Sequence, residues 1–223
     1  MYKGLSRPVK VLKINLDSLA SAHLAEIVSC LKRGGVLAFP TETVYGFGGM
    51  ATVAVRRKLQ RLKKRESARP MGLFVASISQ VRKIASEIPP YAGKLMKHFC
   101  PGPLTLVFNS SNPRLRPFLH GGTVGIRIPR QKWLLAVLKK LDQPLLQTSA
   151  NLSGKPPACS AAEVERWFGR YLDLILDTGP LKKMKPSTVV DVTGPVPIIL
   201  RKGAISPRKL EQTLRMKSYV TGK

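Results

Sequence analysis

The stretch from Gly35 to Gly49, GVLAFPTETVYGFGG, decides how this chain is read. Val36 to Phe39 is a short apolar run between a glycine pair and Pro40, the mark of a buried strand that stops where proline removes a backbone donor. The polar loop that follows, Pro40 to Gly46, carries two hydroxyls, a carboxylate and a phenol. Open α/β sheets place ligands at such strand ends, although an ordinary turn facing water has the same composition.

Working outward, Asp17 or Ser18 can cap a helix to about Arg33, with Ala20, Leu24, Ile27, Val28 and Leu31 on one face and Gly34-Gly35 as the stop. On the other side, Thr52 caps a helix whose Val55, Leu59 and Leu62 face inward. It runs into the basic loop Lys63-Lys64-Arg65-Glu66-Ser67-Ala68-Arg69-Pro70. Such a run is either a solvated surface loop or a clamp on phosphate, in which Arg supplies forked donors and Lys a mobile charge.

Further along, strands are predicted at Leu73 to Ala76, Leu104 to Phe108, Thr123 to Ile128, Pro144 to Gln147, Leu174 to Leu176, Thr188 to Val192 and Ile198 to Leu200. Helices are predicted around Gln80 to Ser86, from Tyr91 to Phe99, from Trp133 to Leu141, from the capping box at Ser160 through Phe168, and after Ser206-Pro207. Arg127 interrupts an apolar strand, so it either snorkels at an edge or holds an anion. Thr148 to Gly154 is a run of small and polar residues around Leu152, suited either to a connecting turn or to a cradle of N–H groups and hydroxyls for an anion. The alternation of elements predicts an α+β chain, a mixed sheet flanked by helices. If the polar loops at Thr41, Ser149 and Arg201 share one sheet edge, they form a single cleft.

The chain has 223 residues, 43% of them hydrophobic, as expected of a globular protein. No apolar run is long enough for a bilayer, and Met1 to Lys13 lacks the apolar segment and cleavage residues of a secretory signal, which together predict a cytoplasmic protein. Cys30, Cys100 and Cys159 are widely spaced and form no CxxC pair, and His23, His98 and His120 are scattered. This argues for a reducing compartment and against a bound metal. Thirty-eight Lys and Arg against 12 Asp and Glu give a net charge of +26. Such a field captures polyanions, nucleotides or RNA, or simply keeps the protein soluble.

Seven segments, in order, resemble the YrdC/Sua5 family, the L-threonylcarbamoyladenylate synthases. They are PTETVYG, the KxR element Lys63-Lys64-Arg65, PGPLTL, VGIRIP, TSANLSG, PSTVVD and LRKGAI, and the likeness runs from about Leu19 to Ile205. The resemblance implies a YrdC/RibB-like twisted mixed sheet with a basic concave groove. It divides the chain into a basic N-terminal extension (1–16), the domain itself (17–206), and a short C-terminal helix and tail (207–223), the single-domain form of the family. The implied reaction converts L-threonine, bicarbonate and Mg²⁺-carrying ATP to threonylcarbamoyl-AMP and pyrophosphate for tRNA N6-threonylcarbamoyladenosine synthesis. The partners it implies are a transferase complex and possible direct contact with tRNA.

By motif, Thr41, Arg127 and Ser187 correspond to threonine contacts, and Arg65, Arg69, Thr123, Ser149, Asn151 and Arg201 to ATP contacts. Lys63 and Arg65 are the expected catalytic cations, stabilising charge on the reacting phosphates and bicarbonate. Departures from the family pattern are Glu66 in place of proline, Arg69 in place of Lys or Asn, Leu73 or Phe74 where a histidine is common, and Gln131 where another is. A non-catalytic RNA-binding protein using the same basic groove is the alternative.

Overall fold

The computed structural model describes residues 8–15, 18–63, 70–152, 155–181, 185–215 and 219–220. The elements run β1 (Lys10–Lys13), α1 (Ser21–Lys32), β2 (Leu37–Pro40), β3 (Tyr45–Met50), α2 (Val53–Leu62), β4 (Gly72–Phe74), α3 (Ile78–Ile84), α4 (Pro90–Phe99) and β5 (Leu104–Asn109). There follow β6 (Thr123–Arg127), α5 (Lys132–Leu141), β7 (Leu145–Ser149), α6 (Ala161–Phe168), β8 (Leu174–Asp177), β9 (Thr188–Asp191), β10 (Ile198–Arg201), α7 (Pro207–Leu214) and β11 (Tyr219–Val220). One mixed sheet joins every strand in the order β1-β8-β2-β3-β7-β4-β6-β5-β9-β10-β11.

The expected mixed sheet flanked by helices is present. Helix α2 starts where Thr52 Oγ1 accepts the Val55 N–H at 3.2 Å, and α6 where Ser160 Oγ accepts that of Glu163 at 3.2 Å. Helix α1 starts later than expected, at Ser21: its N-cap is Ala20, without a side-chain cap, so Ser18 does not cap it, and Asp17 lies outside the described residues.

Three strands were not predicted. Lys10–Lys13, read as part of a basic extension, pairs in parallel with β8 as an edge strand, and β11 pairs with β10 beyond the last helix. The third, β3, holds Gly46, Gly48 and Gly49, residues that weaken a strand when judged by propensity. Strand β2 ends at Pro40 as expected, with the proline itself its last residue, opposite Tyr45 in the β2–β3 hairpin. Packing explains the glycines, because a Cβ on Gly48 would lie 2.8 Å from the Phe39 ring and 2.8 Å from the Leu146 carbonyl oxygen.

Helices are divided unevenly between the two faces. One face carries Ala38, Phe47, Leu73, Leu106, Ile126, Leu146 and Val190, and is covered by side chains of α2, α3, α4, α6 and α7. Among the described residues, the other is covered by α1 and α5, through Ile27, Leu31, Trp133 and Val137 packed on Leu37, Phe39, Phe74 and Leu145. The cluster under α1 and α5 reaches no further, among the described residues, than Phe74 of β4 and includes no residue of β6, β5, β9 or β10. No helix among the described residues is long and apolar enough to cross a membrane.

Candidate active site

Strand alternation assigns the polar side chains to a face. Ser149 and Gln147 lie two apart on β7; Gln147 pairs with Gly72 of β4, Phe74 of β4 with Arg127 of β6, and Val107 of β5 with Gly125 of β6. Thr105 of β5 pairs with Val189 of β9, which pairs with Arg201 of β10. Ser149, Gln147, Arg127, Thr105 and Arg201 therefore project from one face, the one that α1 and α5 cover among the described residues.

The β2–β3 hairpin ends in a four-residue tip, Thr41 to Val44, that Thr41 builds. Its hydroxyl donates to the Val44 carbonyl at 2.7 Å and accepts the Thr43 and Val44 N–H groups at 3.1 and 3.2 Å. Such a hydroxyl-closed turn is the local reason for threonine here. Thr43 Oγ1 lies 2.9 Å from Thr41 Oγ1 and accepts from Arg127 Nη1 at 3.4 Å. The tip thus reaches a residue four strands away across β3, β7 and β4, which requires the sheet to curl toward this face.

Arg127 is neither at an edge nor snorkelling. Strand β6 lies between β4 and β5, and Arg127 is 4% exposed. Its Nε donates to the Gly102 carbonyl at 3.1 Å, its guanidinium lies over the Phe74 ring at 5.5 Å, and its Nη2 sits 2.6 Å from Glu42 Oε1. The last contact is an ion pair, and Nη2 makes no hydrogen bond to the described residues. Glu42 Oε1 also accepts the Arg130 N–H at 3.3 Å, while Glu42 Oε2 is buried without a hydrogen-bond partner among the described residues.

A second cation is fixed at the end of α2. Lys63, buried at the C-cap, donates to the Ser149 carbonyl at 2.7 Å, to Ser149 Oγ at 3.3 Å and to Asn151 Oδ1 at 2.6 Å. Ser149 Oγ in turn donates to Asn151 Oδ1 at 2.5 Å. The base of the hairpin adjoins this cluster, since Gly46 pairs with Ser149 and the Ala150 N–H donates to the Tyr45 carbonyl at 2.8 Å. One hairpin therefore touches the Lys63 cluster at its base and Arg127 at its tip.

A third cluster joins the chain's last two motifs. Arg201 donates through Nε and Nη2 to the Ser187 carbonyl at 3.1 and 2.9 Å, and through Nη2 to Ser187 Oγ at 2.9 Å. Ser187 Oγ lies 3.0 Å from the buried Thr105 hydroxyl. Arg201 is an exposed residue overall, but partial burial of its guanidinium against Ser187 lowers its pKa, and the charge of Arg127 lowers it further. Two guanidinium groups that feel each other's charge in one protein mark a place suited to anions.

Of the residues expected at the site, Lys63, Ser149 and Asn151 are joined, Thr41 reaches Arg127 through Thr43, and Ser187 is joined to Arg201. Thr123 stands apart: its hydroxyl donates to the His120 carbonyl at 2.7 Å, four residues back along β6 from Arg127, or about 13 Å of strand. Arg65 and Arg69 lie outside the described residues. Glu42, Thr43, Thr105 and Gly102 hold the cations in place and had no role from the motifs. For Thr105 a signal existed, a polar residue in an apolar strand, the same signal that singled out Arg127.

A family model for Sua5, YciO and YrdC proteins, described as telomere recombination, matches residues 29–203. A threonylcarbamoyl-AMP synthase of Pyrococcus abyssi is 37% identical over 190 residues, covering 82% of this chain and 55% of that protein. One of Bacillus subtilis is 36% identical over 196 residues, covering 86% and 56%. The chain spans about half the length of these curated relatives. Among solved structures, P. abyssi Sua5 complexed with L-threonine superposes with a TM-score of 0.85 at 32% identity, over 95% of this chain and 62% of that one.

Proposed function

The chain belongs to the Sua5/YciO/YrdC family, and on that premise we propose that it is an L-threonylcarbamoyladenylate synthase supplying tRNA N6-threonylcarbamoyladenosine modification. The observation that carries this reading is that Arg127 and Arg201, from two distant motifs, project from one sheet face, and that Lys63, from a third, is bonded to Ser149 of that face. The P. abyssi relative is named for this activity, and the solved structure of P. abyssi Sua5 is a complex with L-threonine.

In this reading threonine places its carboxylate on Arg127, whose Nη2 makes no hydrogen bond to the described residues and whose rigid fork suits a carboxylate. Thr41 and Ser187 border that position. ATP lies along Lys63, Ser149 and Asn151, with Arg201, Thr123, Arg65 and Arg69 as further contacts, in a groove made basic by these side chains. The amine of threonine takes up bicarbonate with loss of water, and an oxygen of the resulting N-carboxylate attacks the α-phosphorus. The bond to the β-phosphate breaks and pyrophosphate leaves.

Negative charge grows on the phosphate oxygens as this happens. Lys63 and Arg65 stabilise it, already oriented in a site of low dielectric. Lys63 keeps its place through Ser149 and Asn151 and so needs no reorganisation during the reaction. Mg²⁺ enters with the triphosphate as Mg-ATP; hard Mg²⁺ takes oxygen ligands, which the phosphates supply. The product passes to a transferase complex acting on tRNA in the cytoplasm.

The test is incubation of the purified chain with L-threonine, bicarbonate and Mg-ATP, with pyrophosphate and threonylcarbamoyl-AMP as readouts. Pyrophosphate release that requires both threonine and bicarbonate is the expected result. No release, together with tight and salt-sensitive RNA binding, would favour the non-catalytic RNA-binding alternative that the +26 charge also allows.

A further inference from the structure

On the site-bearing face one row of the sheet is nearly bare. Gly48 of β3 pairs with Gln147 of β7, and Gln147 with Gly72 of β4. Leu73 pairs with Ile126, which sets Gly72 level with Gly125 of β6. Of these four neighbours only Gln147 has a side chain, and it leans over the next strand: a Cβ on Gly72 would lie 2.4 Å from Gln147 Nε2. The carboxamide therefore lies across the glycine backbone.

Its position along the strands places it between the cation clusters. Gln147 is two residues before Ser149 on the same face, and Gly72 is two residues before Phe74, which lies under Arg127. A ligand with one anionic group on Arg127 and another near Lys63 has to cross this row.

The hydroxyls around this row are already hydrogen-bonded within the protein. The Thr41 hydroxyl is bonded to Val44, that of Thr43 to Arg127, that of Ser149 to Lys63 and Asn151, and that of Ser187 to Thr105 and Arg201. Around Arg127 the wall is aromatic, made of Phe74 with Phe39 and Trp133 packed behind it. Gln147 is half-buried, and its carboxamide bonds to no described residue.

We infer that Gln147 determines which amino acid this chain activates, its carboxamide hydrogen-bonding a hydroxyl on the amino-acid side chain above Gly72. An amide offers a donor and an acceptor side by side, matching a hydroxyl that is both. A polar group held over a site and left without its partner penalises the analogue that lacks the hydroxyl, which is how such residues discriminate. The inference rests on the synthase reading above.

The test compares the full chain with Q147A and Q147L, measuring kcat/KM for pyrophosphate release with L-threonine, L-serine and L-valine, and ATP affinity by calorimetry. Threonine and valine differ by a hydroxyl against a methyl. The preference for threonine over valine should fall on the order of tenfold in both variants, the loss of one hydrogen bond, with ATP affinity unchanged. G72A should push the carboxamide aside and weaken the same preference, but add nothing in the Q147A background. An unchanged threonine-to-valine ratio with intact ATP binding overturns the role of Gln147 alone. Absence of turnover by the unmodified chain with all three amino acids overturns the synthase reading, and this inference with it.

Discussion

Arg127 Nη2 lies 2.6 Å from Glu42 Oε1, an ion pair between the tip of the β2–β3 hairpin and the interior strand β6 whose side chains are 5% and 16% exposed. Little water reaches either charge, so neither is easily replaced by solvent. Removing one partner from such a pair leaves the other buried and uncompensated, which costs roughly 3–5 kcal/mol. Glu42→Ala is expected to lower unfolding stability by about that amount in urea denaturation. L-Threonine should then raise the variant's melting temperature more than it raises that of the unmodified protein, since a ligand carboxylate would restore a partner to Arg127. A loss below about 1 kcal/mol would mean that water already screens the pair.

Lys63→Ala should reduce turnover by about 2 to 4 kcal/mol in activation free energy, the scale found for removing one preorganised charge-stabilising donor. Lys63→Arg should not rescue it. The ammonium sits among the Ser149 carbonyl, Ser149 Oγ and Asn151 Oδ1 at 2.6 to 3.3 Å, a converging set that a planar guanidinium fork cannot match. Steady-state pyrophosphate assays, with circular dichroism as a check on folding, decide this. Near-normal kcat in a folded Lys63→Ala protein would leave Lys63 as a structural anchor of the Ser149–Asn151 turn.

The sequence was most legible where local chemistry is also global chemistry. Thr52 and Ser160 cap helices as their neighbours require, and strands such as β5 and β6 declare themselves by apolar alternation. Strand β3 did not, because its glycines answer to the Phe39 ring and the Leu146 carbonyl of neighbouring strands, which no local window contains. The same limit applies to the site. Arg127 could be singled out as a cation in a strand, but its partner Glu42 is 85 residues away and reaches it only because the sheet curls. Thr41 illustrates the opposite case: the motif marked the residue, yet its hydroxyl is spent on closing the turn.

Gly203→Ala should destabilise the protein by about 1–3 kcal/mol and weaken ATP binding at the same time. A Cβ there would lie 2.3 Å from the Pro186 carbonyl oxygen and 2.5 Å from backbone atoms of Ser187 and Thr188, none of which can yield as a side chain would. The displaced segment carries the Ser187 groups that hold Arg201. Gly93→Ala in α4 is the control: nothing lies within 4 Å of its added methyl, so a gain of roughly 0.5–1 kcal/mol is expected from helix propensity. Thermal melts and nucleotide titrations of both variants give the comparison.

Cys30 and Cys100 should react slowly with iodoacetamide in the native protein. Burial raises both thiols, with Asp173 raising Cys30 further, and Cys100 reaches about 11 despite the opposing charge of Arg127. A raised pKa keeps the sulfur as unreactive thiol at neutral pH, and reactivity returns only as the pH climbs toward the folded-state value. Mass spectrometry at pH 8, native against denatured, should find these two positions protected in the native sample. Equal labelling in both samples would show that they are open to solvent as thiolates.

Thr105→Val tests whether the third cation is held from behind. The substitution keeps the shape of a buried side chain but removes the hydroxyl 3.0 Å from Ser187 Oγ, the same oxygen that accepts from Arg201 Nη2 at 2.9 Å. A lost buried hydrogen bond costs about 1 kcal/mol, and here the cost has a second part, because Ser187 becomes free to turn away from Arg201. If Arg201 meets the nucleotide, ATP should bind several-fold more weakly while the KM for threonine changes less. Ser187→Ala should weaken ATP binding in the same way and, because Ser187 also borders the threonine position, raise the KM for threonine as well; on ATP affinity, combining the two substitutions should add little, since both act on one chain of contacts. Full additivity would mean that Thr105 and Ser187 support the fold independently and that Arg201 is held by the Ser187 carbonyl alone.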